Sequence, residues 1–237
     1  MPLPLLIVQT GTTLPAIRAR HGDFPEWMRR GLGLPRDAIE VRAAHLGEQP
    51  RAPRHYLAVL VTGSASMVTE RLDWSESTAD WLRQAHAQRL PLLGICYGHQ
   101  LLAQAFGGRV DYLPAGREMG TVMIERGEVA DPLFDGLPAS FRAHATHEQS
   151  VLEPPPGAMI LARSAQDACQ AFRLGETCWG LQFHPEFSAA VMRGYIRGRR
   201  EVLAKEGREV GAMLAAVRPT PWARHLLRRF AVCHAKA

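Results

Sequence analysis

The sequence contains no Cys-x-x-Cys pair, no Gly-x-x-x-x-Gly-Lys phosphate loop, and no run approaching the roughly 18 to 20 apolar residues of a membrane-spanning helix. Its 237 residues include four cysteines, Cys96, Cys169, Cys178 and Cys233. Four so widely scattered exclude a disulfide scaffold and leave the question of which thiol is reactive. The apolar start Leu3–Val8 lacks the basic lead and small-residue cleavage site of a signal peptide and reads as a first strand. The expectation is a cytoplasmic protein with no membrane partner. Basic residues collect late in the chain, at Arg193, Arg197, Arg199, Arg200, Lys205, Arg208, Arg224, Arg228 and Arg229, and contribute to a net charge of +5. No aromatic residues alternate with that charge to stack on bases, so nucleic acid is not an expected partner. The stripe reads as a solvated helix face.

What is present fits one sizeable domain: 46% of residues are apolar and 22% charged, enough for a buried core. The first half alternates short apolar runs with helical segments, as a parallel sheet covered by helices does. Strands are expected at Leu5–Val8, Ile39–Ala43, Leu57–Val61 and Leu92–Ile95. Helices are expected over Phe24–Arg30 with Asp23 as cap, Ser75–Arg89 and Gly98–Phe106. From Met119 to Phe183 the chain reads as further strands and turns, interrupted by Pro154-Pro155-Pro156. Beyond Ser188 it becomes helical again. The last helix starts at Thr220-Pro221 and buries Trp222, Leu226, Leu227 and Phe230. The expected fold is thus α/β, an open, mainly parallel, flavodoxin-like three-layer sheet flanked by helices. Residues 1–187 form the domain, and 188–237 form a C-terminal helical tail packed on it.

The most informative stretch is Gly94-Ile95-Cys96-Tyr97-Gly98-His99-Gln100. An apolar strand leads in and helical spacing leads out, the strand–turn–helix setting of a nucleophile elbow. Glycines on both sides let the chain turn sharply, and the helix beyond offers unpaired N–H groups and a positive dipole end to the thiol. Both effects favour the reactive thiolate. Cys169, Cys178 and Cys233 have no such frame. A cysteine nucleophile needs a base, and the base needs an orienting group. His184, in Gln182-Phe183-His184-Pro185-Glu186, follows an apolar strand, and the Glu186 carboxylate lies two residues on. His147 is the competing base. With His144 it also suggests a metal, but no third ligand stands at a telling spacing, so neither metal nor cofactor is expected. The Tyr97 N–H and the turn Gly63-Ser64 are candidate oxyanion donors.

With these pieces in place, the chain resembles the class I glutamine amidotransferase domain, most closely the amidotransferase portion of GMP synthases and its stand-alone relatives. The likeness rests on Gly94–Gln100, the helix end Gly107-Gly108, and Gln182–Glu186. It implies a Cys96–His184–Glu186 triad, with Gln100 and the Thr146-His147 loop holding a glutamine substrate or a related γ-glutamyl amide. It also implies ammonia release through a glutamyl thioester. Where the family carries Gly-Gly-Pro at the oxyanion loop, this chain has Gly63-Ser64-Ala65; serine keeps the N–H but gives up glycine's conformational freedom. Where the family reads Ser-His-Gly-Asp, this chain has Thr146-His147-Glu148-Gln149. About fifty residues follow His184 without a phosphate loop, so the expectation is a glutaminase working with a separate synthetase or acceptor protein. A hydrolase of γ-glutamyl peptides and a catalytically idle binding module are the alternatives.

Overall fold

The computed structural model describes residues 3–234. The chain begins with β1 (Leu5–Gln9), α1 (Pro15–His21), α2 (Phe24–Leu32), β2 (Ile39–Ala43), β3 (Ala58–Val61) and α3 (Asp73–Ala87). It continues through β4 (Leu92–Ile95), α4 (Tyr97–Ala105), β5 (Arg109–Tyr112), β6 (Glu118–Arg126), β7 (Ser140–His147) and β8 (Gln149–Glu153). Then follow β9 (Met159–Arg163), β10 (Ala171–Leu174), β11 (Cys178–Leu181), and the helices α5 (Ala189–Gly198), α6 (Arg200–Lys205), α7 (Val210–Ala216) and α8 (Pro221–His234).

Nine strands form one sheet in the order β2-β1-β3-β4-β11-β10-β9-β6-β7, and β5 pairs with β8 in a separate ribbon. The five strands from β2 to β11 are parallel. The remaining four continue the sheet antiparallel. β3, β4 and β11, and β1 as far as Val8, carry uninterrupted apolar residues because both faces are covered. Successive side chains of a strand point to opposite faces. Leu5, Ile7, Leu60, Leu93 and Leu181 accordingly share a core with Met28 of α2 and Leu226 and Phe230 of α8. Leu6, Val8, Val59, Val61 and Leu92 share the other with Leu82 of α3 and Leu101 of α4.

The helical tail is anchored by α8 in the first of these cores and by α5 to α7 in a third, with Ile17, Phe24, Trp27 and Phe187. Ser188 caps α5, its hydroxyl accepting from Val191 N at 3.2 Å. α8 lays Leu226, Leu227 and Phe230, all fully buried, over α2 and β7. One expected anchor is wrong: Trp222 is 46% exposed, because the buried stripe of α8 runs through Ala223, Leu226, Leu227 and Phe230 and leaves Trp222 on its flank. Three features are not visible in the sequence. α1 is a seven-residue helix too short to show a period; β5 is a short ribbon strand; and β8 begins at Gln149, where the sequence suggests only a loop.

Candidate functional site

Cys96 stands between β4 and α4, at φ 52° and ψ −102°, a conformation that costs a non-glycine residue of order 1–3 kcal/mol. Two glycines make the bend possible through close backbone contact. A Cβ at Gly94 would stand 2.3 Å from the Gly98 carbonyl oxygen, and one at Gly98 would stand 2.6 Å from the Val61 carbonyl oxygen. The turn is then held by Cys96 N donating to Leu181 O (2.8 Å) and Gly98 N donating to Thr62 O (3.2 Å). The thiol is therefore fixed at the carboxyl edge of the parallel strands, where open α/β sheets collect ligands.

His184, just past the end of β11, is buried, and its Nδ1 meets the Glu186 carboxylate at 2.7 Å. Its Nε2 has no hydrogen-bond partner among the described residues. A Cβ at Gly63 would lie 3.0 Å from His184 Cε1 and 3.7 Å from Cys96 Cβ, so imidazole and cysteine flank the same glycine. Phe187 stacks on the ring with centroids 4.0 Å apart, fixing its plane. Burial pushes the imidazole's pKa down, but the charges of Glu186 and Cys96 outweigh it and raise the pKa to about 10. Burial likewise pushes the Cys96 thiol up, and the positive charge of His184, with that of His147, outweighs it, leaving the thiol below its ordinary value. The other buried cysteines go the opposite way. Burial pushes Cys169 up to about 12 and Cys178 higher still, with no cation to oppose it. Of the three buried thiols, Cys96 is the one held toward thiolate.

A narrow cleft opens over Cys96, lined among others by Ser64, Tyr97, Gln100, Thr146, His147 and Arg199. Tyr97 sends its ring into the core and its hydroxyl to Ser75 Oγ at 2.6 Å, so that its backbone is what remains for the cleft. At Gly63-Ser64 the carbonyl of Gly63 sits 3.0 Å from both the Thr10 and the Thr62 hydroxyls, which are fully buried. Thr10 N donates to Thr62 Oγ1 at 3.0 Å, leaving that hydroxyl's proton for Gly63 O. The peptide leading to Ser64 N is thus oriented by the ends of β1 and β3. Thr10 and Thr62 escape a reading of the sequence alone, since neither residue type at a strand end signals a role by itself.

Gln100 donates Nε2 to Gln149 O (2.7 Å) and Gln182 Oε1 (2.9 Å), tying α4 to the start of β8. Thr146 Oγ1 is buried without a partner among the described residues. His147 lines the cleft, but its ring is 1% exposed and both nitrogens are engaged: Nδ1 with Gln149 O (2.9 Å) and Nε2 with Glu118 Oε2 (3.0 Å). No ring nitrogen is left for a base or a ligand. Glu118, His147 and Asp167 do bring three metal-ligand types together from distant segments, with ligand atoms within 4.8 Å of one another. Sequence spacing could not reveal that grouping. Their donors and acceptors are taken up by one another and by Ser164, Gln170 and Ser150. Glu148 is held by Arg117 at 2.7 Å, and Arg117 also binds Glu206 at 3.0 Å, joining the cleft rim to the end of α6.

Among the described residues no helix is long and apolar enough to cross a membrane. Solved structures with the same fold include a glutamine amidotransferase from Thermotoga maritima (TM-score 0.80, 21% identity, all of both chains). Another comes from Methylobacillus flagellatus (TM-score 0.75, 23% identity, 99% of this chain and 96% of that one). One subunit of the glutamine-hydrolysing GMP synthase of Methanopyrus kandleri is 32% identical over 170 residues, 70% of this chain and 85% of that protein. The GMP synthase of Thermomicrobium roseum is 52% identical over 99 residues, 41% of this chain but 18% of its own length. The chain therefore spans about a fifth of such full-length relatives. The family model for class-I glutamine amidotransferases matches residues 40–197, from β2 through α5 and including both Cys96 and His184. The chain belongs to the class-I glutamine amidotransferase family.

Proposed function

We propose that this protein hydrolyses the side-chain carboxamide of glutamine, with Cys96 as nucleophile, His184 as acid and base, and Glu186 as the group that orients His184. One observation carries the reading. His184 commits Nδ1 to Glu186 and keeps Nε2 free, while flanking a strained, buried cysteine whose thiolate is favoured. That wiring suits acyl transfer. The Cys96 thiolate adds to the amide carbon, and the C=O electrons move to oxygen, where the N–H groups of Tyr97 and Ser64 receive the negative charge. His184 imidazolium protonates the departing nitrogen, the C–N bond breaks, and ammonia leaves a glutamyl thioester. Neutral His184 then takes a proton from water as that water attacks, and thiolate and glutamate are released. The Glu186 carboxylate supports the imidazolium in each half-reaction.

Gln100 and the end of β7 at Thr146 and His147 hold the substrate in this reading, His147 by shaping the wall beside the unpaired Thr146 hydroxyl. The likeness to one subunit of a GMP synthase supports a separate synthetase or acceptor protein as the consumer of the ammonia. We further assign this docking to the basic tail. Arg228 and Arg229 already bond to Leu32 O and Pro132 O, so the candidate contacts are the exposed cations Arg197, Arg200, Lys205 and Arg224.

Ammonia release from glutamine by the purified chain, and its loss in Cys96→Ala, tests the reading. Cleavage of γ-glutamyl peptides with glutamine left intact would replace it with a peptide hydrolase. Inertness toward both, alone and with a synthetase partner, would leave a binding module.

A further inference from the structure

Glutamine hydrolysis as proposed uses one of the two buried histidines beside Cys96. The other has an unusual setting. His147 Nδ1 faces a backbone carbonyl, Gln149 O, which can only accept, so this nitrogen carries a proton. Nε2 faces Glu118 Oε2, and Glu118 also receives the Ser164 hydroxyl at Oε1 (2.6 Å) and the Gln170 amide at Oε2 (2.5 Å). A carboxylate surrounded by donors is ionised, and it asks Nε2 for a proton as well. A second carboxylate, Asp167 Oδ2, lies 3.9 Å from the same nitrogen. We infer that His147 is a permanently charged imidazolium, a positioning residue that clamps the Gln149 carbonyl at the cleft floor and presents a fixed positive charge toward Cys96. This rests on the amidotransferase reading only for the purpose the clamp serves, not for its protonation state.

The surroundings agree. The groups acting on the ring are Glu118 of β6, Asp167 from the segment before β10, Cys96 at the elbow, and His99 of α4. Burial opposes charge on His147, and Glu118 and Asp167 overcome it, so the ring's pKa is raised. Burial pushes His99 down to about 3, so it stays neutral and does not compete. Gln149 O accepts from His147 Nδ1 and from Gln100 Nε2, so the imidazolium fixes the junction of β7, β8 and α4 on which the cleft rests.

The test is ¹⁵N spectroscopy of histidine-labelled wild-type protein at pH 8, with His147 assigned by its absence in His147→Gln. The expected result is both ring nitrogens protonated. A neutral ring with one bare nitrogen would overturn the proposal. A second arm follows alkylation of Cys96 by iodoacetamide against pH. In His147→Gln the midpoint is expected to rise by about one pH unit, and an unmoved midpoint would equally overturn it. If the variant does not fold, His147 is assigned within the wild type by through-space contacts of its ring to Gln149 and Glu118, and that spectrum decides. Neither readout uses glutamine, so a doubly protonated His147 in a protein that fails to hydrolyse glutamine would refute the function and keep the clamp.

Discussion

His184 and His147 are both buried beside the same cysteine, yet they are wired differently. His184 spends one nitrogen on Glu186 and keeps the other unpartnered, at the edge of the parallel strands. His147 spends both, inside the antiparallel wing, on a carbonyl and a carboxylate. A ring with one free nitrogen can gain and lose a proton during a reaction; a ring with two committed nitrogens cannot do so without breaking its own network. Residue type and burial are therefore poor guides to a catalytic histidine. The count of uncommitted nitrogens separates the two.

Deletion divides the two rings most decisively. Under the proposed chemistry, Cys96→Ala and His184→Ala each lower kcat for glutamine hydrolysis by roughly 10⁴-fold or more, whereas His147→Gln reduces it far less and leaves turnover measurable. Equal losses would erase the distinction. Glu186→Gln keeps shape but removes the charge facing Nδ1, and kcat is expected to fall by about 10² to 10⁴-fold with KM nearly unchanged. A parallel collapse in KM would mean that Glu186 serves binding instead.

Smaller effects sharpen the same contrast. Gly98→Ala forces a methyl against the Val61 carbonyl at 2.6 Å, so α4 must shift. About 1–3 kcal/mol of stability should be lost in thermal or urea unfolding, and Cys96 alkylation should slow with it. Thr62→Val removes the hydroxyl that orients the Gly63 peptide. About a tenfold drop in kcat with normal folding is expected, from a lost hydrogen bond of about 1–1.5 kcal/mol. The pH profile of kcat follows from the protonation states. Activity needs thiolate and imidazolium together, so it should fall as pH drops through the depressed Cys96 value and again as pH rises through about 10, where His184 loses its proton.

How much of the molecule is legible in its sequence depends on whether the signal is local. The elbow is plain because Gly94, Cys96 and Gly98 sit within five residues and act on one another's backbone. The central parallel strands β3, β4 and β11 are plain because both faces are buried and the apolar runs are unbroken. The Glu118–His147–Asp167 grouping is invisible because its members come from β6, β7 and the segment before β10, and only the register Glu118↔His147 brings the first two together. Thr10 and Thr62 are invisible for the same reason: neighbouring parallel strands align their ends although the two residues are 52 positions apart in sequence. Trp222 misleads because it stands four residues before Leu226, a helical spacing, whereas the buried stripe starts with Ala223, one residue further on.

Catalysis of the proposed kind depends on Cys96 being ionised by its neighbour. The direct measurement is the rate of iodoacetamide alkylation at Cys96, mapped by mass, across pH in the wild type and in His184→Ala. A wild-type midpoint well below the ordinary thiol range of about 8.5, moving above it once the imidazole is gone, is the predicted result. A midpoint at or above that range in the wild type, or one indifferent to His184, would contradict it.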